Sequence, residues 1–281
     1  MSDVFRTLIS AAELHTLQGN GRPLVLLDCG FDLADPAAGQ RAYDAGHLPQ
    51  AQYASLDHDL SGAKTGQNGR HPLPQRSTLA QRVGQWGITP GVQVVCSDAQ
   101  GMPYAARAWW LLRWLGHDAV AVLDGGVQAW QAAGYPLSTE AARVTPQAPY
   151  PTLAAAMPSI DAAELQAQLG RRPILDARAP ERFRGETEPL DPVAGHIPGA
   201  ANRLFKNNLQ ADGRFKPAAD LRAEFAALGD TAERWVHQCG SGVTACHNLL
   251  AMEHAGLKGS VLYPGSWSEW CADPRRPVAV G

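Results

Sequence analysis

The sequence is short of several things, and each shortage removes a class of protein. It has no apolar run near the ~20 residues that a membrane-spanning helix needs. Its charges nearly cancel, 24 basic against 27 acidic, so no basic surface marks it for nucleic acid. Cysteine is sparse and odd in number: Cys29, Cys96, Cys239, Cys246 and Cys271. Such a set does not build a disulfide framework. Asp3 and Arg6 break the start of the chain before a signal-peptide core can form, so a cytoplasmic, reduced protein is expected. With 45% hydrophobic and 18% charged residues, the composition also argues against disorder, collagen and coiled coil.

What is present is repetition. Leu24–Asp28 reads LVLLD, and Pro173–Asp176 reads PILD. Ala45-Gly46-His47-Leu48-Pro49 returns as Ala194-Gly195-His196-Ile197-Pro198. The apolar run 92–98, VQVVCSD, matches 234–240, RWVHQCG. Leu123-Asp124-Gly125-Gly126 matches Leu262-Tyr263-Pro264-Gly265, each with tryptophan following. All these offsets stay near half the chain, which is the mark of a domain duplication and not of a solenoid. Two domains are expected, 1–137 and 159–281, joined by a linker 138–158 that carries Pro146, Pro149, Pro151 and Pro158. Ser10-x-x-Glu13 and Asp161-x-x-Glu164 are matching capping boxes. Apolar strands alternating with helical patterns predict an α/β fold, each half a mostly parallel sheet flanked by helices. Ligands on such sheets sit beyond the carboxyl ends of the strands.

One cysteine stands at such a place. The strand around Val236 runs into Cys239-Gly240-Ser241-Gly242-Val243-Thr244, and a helical pattern follows to about His254. Gly240 and Gly242 let the backbone curl so that its N–H groups point inward. Those groups and the helix N-terminus favour an anion, and a thiolate is one. The competing reading of a lone cysteine is a buried, inert thiol. Gly240-x-Gly242-x-x-Ala245 also fits a dinucleotide fingerprint, but no ribose-binding acid follows at the right distance. A cysteine phosphatase would need an arginine where Ala245 and Cys246 stand. A zinc site from His237, Cys239, Cys246 and His247 lacks the usual ligand spacing. No cofactor or metal is therefore expected. In the first half Asp98 takes the place of Cys239, followed by Ala99-Gln100-Gly101-Met102-Pro103, which reads as a longer loop without the double glycine. Cys96 reads as core.

The loop Cys239–Thr244 resembles the active-site loop of the tandem-domain rhodanese superfamily, in its 3-mercaptopyruvate sulfurtransferase branch. Ala194–Gly199 (AGHIPG), Leu175–Arg178 (LDAR) and Arg182–Gly185 (RFRG) carry the same resemblance, which covers nearly the whole chain. It implies two α/β domains, of which the second is catalytic. It implies that Cys239 takes sulfur from a donor as a persulfide and passes it to a thiol acceptor, such as a thioredoxin-like protein, or to cyanide. Members specialised for thiosulfate carry basic side chains in this loop, whereas Gly240 and Ser241 are uncharged. That points to 3-mercaptopyruvate, with thiosulfate sulfurtransfer or a persulfide carrier without turnover as the alternatives.

The same resemblance assigns roles. Ser241, His71 and Asp59 correspond to a Ser–His–Asp proton relay, with His71 and Asp59 coming from the first domain so that the site spans a cleft. Arg182 corresponds to the arginine that grips the donor's carboxylate, for which a forked guanidinium is suited. Gly240, Gly242, Val243 and Thr244 line the loop. The branch has a second arginine further along, but Glu186–Pro192 holds none; Arg107 and Arg203 are the remaining candidates. Arg178 is expected to pair with a carboxylate at the strand end. His47 and His196, one per half, read as repeated structural residues. Cys246 reads as packed, or as a redox partner of Cys239. The tryptophans, among them Trp109, Trp110 and Trp114, read as core.

Overall fold

The computed structural model describes residues 4–151, 153–229 and 231–281; Asp3 lies outside them. The chain forms two compact units. The first comprises residues 1–61, 74–156 and 210–215, and the second 62–73, 157–209 and 216–281. By contact, the units interleave along the chain. Residues 62–73 belong with the second unit and 210–215 with the first.

The first unit contains a five-stranded sheet, all parallel: β1 (Leu8–Ile9), β2 (Leu24–Asp28), β3 (Ala51–Tyr53), β4 (Gln93–Ser97) and β5 (Val120–Leu123), in the order β1-β5-β4-β2-β3. Its helices are α1 (Ala11–Gly19), α2 (Ala38–Ala45), α3 (Arg76–Gln85), α4 (Pro103–Leu115) and α5 (Gly126–Ala132). The α1 start has the capping box read from the sequence: Ser10 and Glu13 satisfy each other's backbone N–H. Leu14, Leu26, Leu48, Val95, Leu123 and Trp130 fill one face of the sheet. Trp109 and Trp110 of α4 are fully buried. The proline-bearing segment runs extended along this unit, held by Gln147 N–H to Gly84 O at 2.8 Å and Tyr150 N–H to Ala80 O at 2.9 Å.

The second unit repeats the plan. Its helices begin with α6 (Ala162–Ala167), capped by Asp161, and α7 (Pro180–Phe183). The strands are β6 (Ile174–Asp176), β7 (Ala200–Asn202), β8 (Val236–Gln238) and β9 (Val261–Leu262), parallel in the order β7-β6-β8-β9. A single parallel bridge from Ser159 to Leu262 stands where β1 meets β5. The helices α8 (Ala218–Ala226), α9 (Thr244–His254) and α10 (Ser266–Trp270) complete it. Ile160, Leu165, Val236, Tyr263, Trp267 and Trp270 form its core.

The repeated histidines occupy equivalent structural places. His47 stacks on Tyr43 with ring centroids 3.9 Å apart, and its Nδ1 meets Tyr43 O at 2.8 Å. His196 stacks on Phe183 at 3.8 Å, and its Nδ1 meets Phe183 O at 2.8 Å. Each also makes an antiparallel bridge, to Ser138 and Ala279. No helix among the described residues is long and apolar enough to cross a membrane.

Candidate active site

Strand register fixes which residues correspond. Asp28 pairs with Ser97, and Asp176 pairs with Gln238. The next residue in each case is Asp98 or Cys239, just beyond the carboxyl end of the central strand. From Cys239, four residues lead to α9 at Thr244; from Asp98, four residues lead to α4 at Pro103. The two loops are thus equal in length, which corrects the expectation of a longer loop in the first half. Pro103 had to be counted in the helix, where proline is favoured at the first position.

The Cys239 loop is tightly specified. Gly242 has φ of +77°, and a Cβ there would come within 2.3 Å of Pro264 O. Any other residue would be strained and would clash. In this conformation the Gly242 N–H points at Cys239 Sγ, 3.2 Å away. The Cys239 backbone N–H donates to Ser266 Oγ at 3.1 Å, and Ser266 Oγ donates to Tyr263 O at 3.0 Å. Trp267 N–H donates to Cys239 O and Ser268 N–H to Gly240 O, both at 3.0 Å. The start of α10 therefore fixes the turn from behind. Ser266 carries this role in the left-handed region, φ +54°. Sequence reasoning missed it: strand register makes Gly126, the first residue of α5, its counterpart, one position off the sequence match to Gly265, and Gly126 has a similar φ of +61°.

All five cysteines are buried, Cys239 included, so Cys239 is set apart by its turn and not by exposure. Burial pushes the Cys29 thiol well up and raises Cys271 to about 11. Cys96 is fully buried within β4. Cys246 is fully buried in α9, and its thiol donates to Gly242 O at 3.3 Å, as packing predicted. His237, weighed above as a zinc ligand, is fully buried, and burial lowers it to about 3.

Ser241 and His71 meet: His71 Nδ1 lies 2.8 Å from Ser241 Oγ, with both residues buried. His71 belongs to the second unit through segment 62–73, so this pair is contained in one unit. Asp59 stays in the first unit. There its carboxylate accepts the Ser55 N–H at 2.8 Å and faces Arg82 at 2.8 Å. Burial raises its pKa against the lowering influence of both partners.

Two guanidinium groups stand beside Gly240. A Cβ on that glycine would lie 2.8 Å from Arg70 Nη2, and 3.6 and 3.7 Å from Arg182 Nη1 and Nη2. Arg182 grips Glu188 through Nη2 at 2.7 and 2.9 Å and Nε at 3.2 Å, and reaches Asp191 at 3.5 Å. Burial alone would raise Glu188, but Arg182 and the N–H groups of Leu190 and Asp191 outweigh it and hold the carboxyl below its usual range. Arg70 Nη1 pairs closely with Asp191. Arg178 does what its position suggested: it forks onto Asp176 at 2.8–3.2 Å and lies 4.8 Å over the Trp267 ring. Arg107 is fully buried in the first unit and donates to Leu60 O. Arg203 is committed to Glu224 at 2.7 Å and to the Phe225 ring.

A strand-turn-helix that holds one thiol against a backbone N–H, duplicated with the thiol replaced, agrees with known proteins. The rhodanese-like domain model matches residues 10–133 and again 161–273. The chain is 51% identical over 284 residues to a Pseudomonas aeruginosa protein named "Probable 3-mercaptopyruvate sulfurtransferase", covering 97% of this chain and all of that one. It is 42% identical over 281 residues to SseB of Mycobacterium tuberculosis, named as a thiosulfate sulfurtransferase, with 98% of each covered. The solved 3-mercaptopyruvate sulfurtransferase of Leishmania major superposes with a TM-score of 0.83 at 28% identity, over 94% of this chain and 74% of that one. The chain belongs to the rhodanese family, as a pair of rhodanese-like α/β domains.

Proposed function

We propose that the protein is a sulfurtransferase that takes sulfur from 3-mercaptopyruvate on Cys239 and delivers it to a thiol. The observation that carries this reading is the convergence at one turn of a sulfur facing an N–H donor and a serine–histidine pair. The Cys239 thiolate attacks the donor's thiol sulfur. The S–S bond forms as the C–S bond breaks, and the electron pair leaves as the enolate of pyruvate. The donor's thiol proton must reach the enolate carbon, which yields pyruvate and a persulfide anion on Cys239. Ser241 and His71 are the groups placed to move that proton. The Gly242 N–H suits the anionic sulfur. An acceptor thiolate then attacks the outer sulfur, a proton is taken up, and the Cys239 thiolate returns.

The uncharged side chains at positions 240 and 241 favour this donor over thiosulfate, as does the name of the 51% identical relative. Arg182 beside Gly240 is a binding group for its carboxylate. A small dithiol protein of thioredoxin type is the acceptor we favour. Five cysteines without a disulfide between them suit a reducing compartment such as the cytoplasm. Pyruvate release from 3-mercaptopyruvate, measured beside thiocyanate formation from thiosulfate and cyanide, tests the reading. Mercaptopyruvate should be the better donor by at least about tenfold in kcat/KM. Fast thiocyanate formation without pyruvate would contradict it, and sulfur loading without turnover would indicate a carrier.

A further inference from the structure

We propose that Arg70 is a specificity-determining residue of this site, the second guanidinium for the donor's carboxylate. The inference rests on the mercaptopyruvate reading. The stretch Glu186–Pro192 after Arg182 offers no second arginine and holds Asp191 instead, and Arg184 is committed to Glu186. Arg70, immediately before His71, reaches the same place from another segment. Its Nη2 is nearer to the Cβ position of Gly240 than either terminal nitrogen of Arg182 is. Its location is fixed by its backbone, because Arg70 N–H donates to Ser268 Oγ at 3.0 Å in α10.

The two arginines differ in what they have left to give. Arg182 has Nε and Nη2 committed to Glu188, which also accepts the Leu190 and Asp191 N–H groups. Arg178 is saturated by Asp176 and Gly195 O. Arg70 pairs with Asp191 through Nη1, while its Nε is buried with no hydrogen-bond partner. A buried unpaired donor is costly to maintain, and an arriving carboxylate would satisfy it. Charges around the turn balance without substrate: Arg70, Arg178 and Arg182 face Asp176, Glu188 and Asp191. A donor carboxylate must therefore compete with Asp191 for Arg70. That competition would set a KM above what two free guanidinium groups would give.

Steady-state kinetics on the whole protein with 3-mercaptopyruvate separates binding from merely structural roles. Arg70→Gln should raise KM roughly 10- to 100-fold with kcat little changed, the size expected for one charged hydrogen-bonded contact to the substrate. Asp191→Asn deletes the same ion pair but removes the competitor, so KM should fall severalfold. An α-mercaptoketone with methyl in place of the carboxylate should be used equally well by wild type and Arg70→Gln. A wild-type KM in Arg70→Gln, or equal rises in KM for both variants, overturns the assignment alone. A wild-type protein that releases no pyruvate overturns the donor reading and this assignment with it.

Discussion

The turns after β4 and β8 are two versions of one device. Both leave the central strand at its carboxyl end, both span four residues before a helix, and both put a left-handed glycine third, Gly101 with φ +86° and Gly242 with φ +77°. They differ in what fills the ring of N–H groups. In the first unit the Asp98 carboxylate fills it: Oδ1 accepts the N–H groups of Gln100 at 2.9 Å and Met102 at 2.8 Å, and Oδ2 those of Tyr104 at 3.0 Å and Ala105 at 2.9 Å. In the second unit the sulfur of Cys239 faces the ring with one such contact. The comparison teaches that the backbone of this fold wants an anion at that point. One copy supplies a carboxyl from its own chain, whose pKa burial raises against the lowering influence of the four N–H groups, and the other supplies the sulfur of Cys239.

A similar split runs through the strand beside it. Asp176 in β6 is answered by Arg178 two residues on. Asp28 in β2 has Gly30 there, and its Oδ1 accepts the Gly30 N–H at 2.9 Å. Burial raises Asp28 from 3.8 to about 6, helped by the Asp98 charge and opposed by the Gly30 N–H and by His47. The copy that carries Cys239 has a buried guanidinium, Arg178, on the carboxylate of this strand, and the other copy has glycine at that position.

The comparison can be broken first at Asp98. Asp98→Ala leaves four buried N–H groups without their acceptor. It should cost on the order of 4 kcal/mol of stability, read as a lower midpoint in urea, and Asp98→Asn should cost less. An Asp98→Ala midpoint equal to wild type would mean that the carboxylate is not the anion this turn requires.

A smaller effect sharpens the second contrast. A carboxyl whose pKa is raised on folding binds its proton more tightly in the native state, so its stabilising effect is present at low pH and is lost as pH rises. For Asp28 the loss should run between about pH 4 and pH 6, up to about 3 kcal/mol. Asp28→Asn removes that dependence. It should stabilise the protein above pH 6 and make little difference below pH 4. Equal effects of Asp28→Asn at pH 4 and pH 7 would contradict the assignment.

Much of this was readable before the structure. The duplication was legible because motifs such as Ala-Gly-His-x-Pro recur intact, and a strand-turn-helix signature needs only local residues. The nucleophile, Ser241 and Arg182 lie on such local motifs. Arg70 was not legible, because its partner Asp191 is 121 residues away and only packing brings them together. That segment 62–73 packs with the second unit was hidden for the same reason. Ser266 was hidden because a serine in the left-handed region leaves no mark in the sequence.

The central claim is that sulfur passes through Cys239. The direct measurement is peptide mass after brief exposure to 3-mercaptopyruvate without an acceptor, followed by addition of a thiol. The account predicts one sulfur atom added to the peptide that contains Cys239, its loss when thiol is added, and no addition or turnover in Cys239→Ser. Sulfur on another cysteine, or pyruvate release that survives Cys239→Ser, would contradict it.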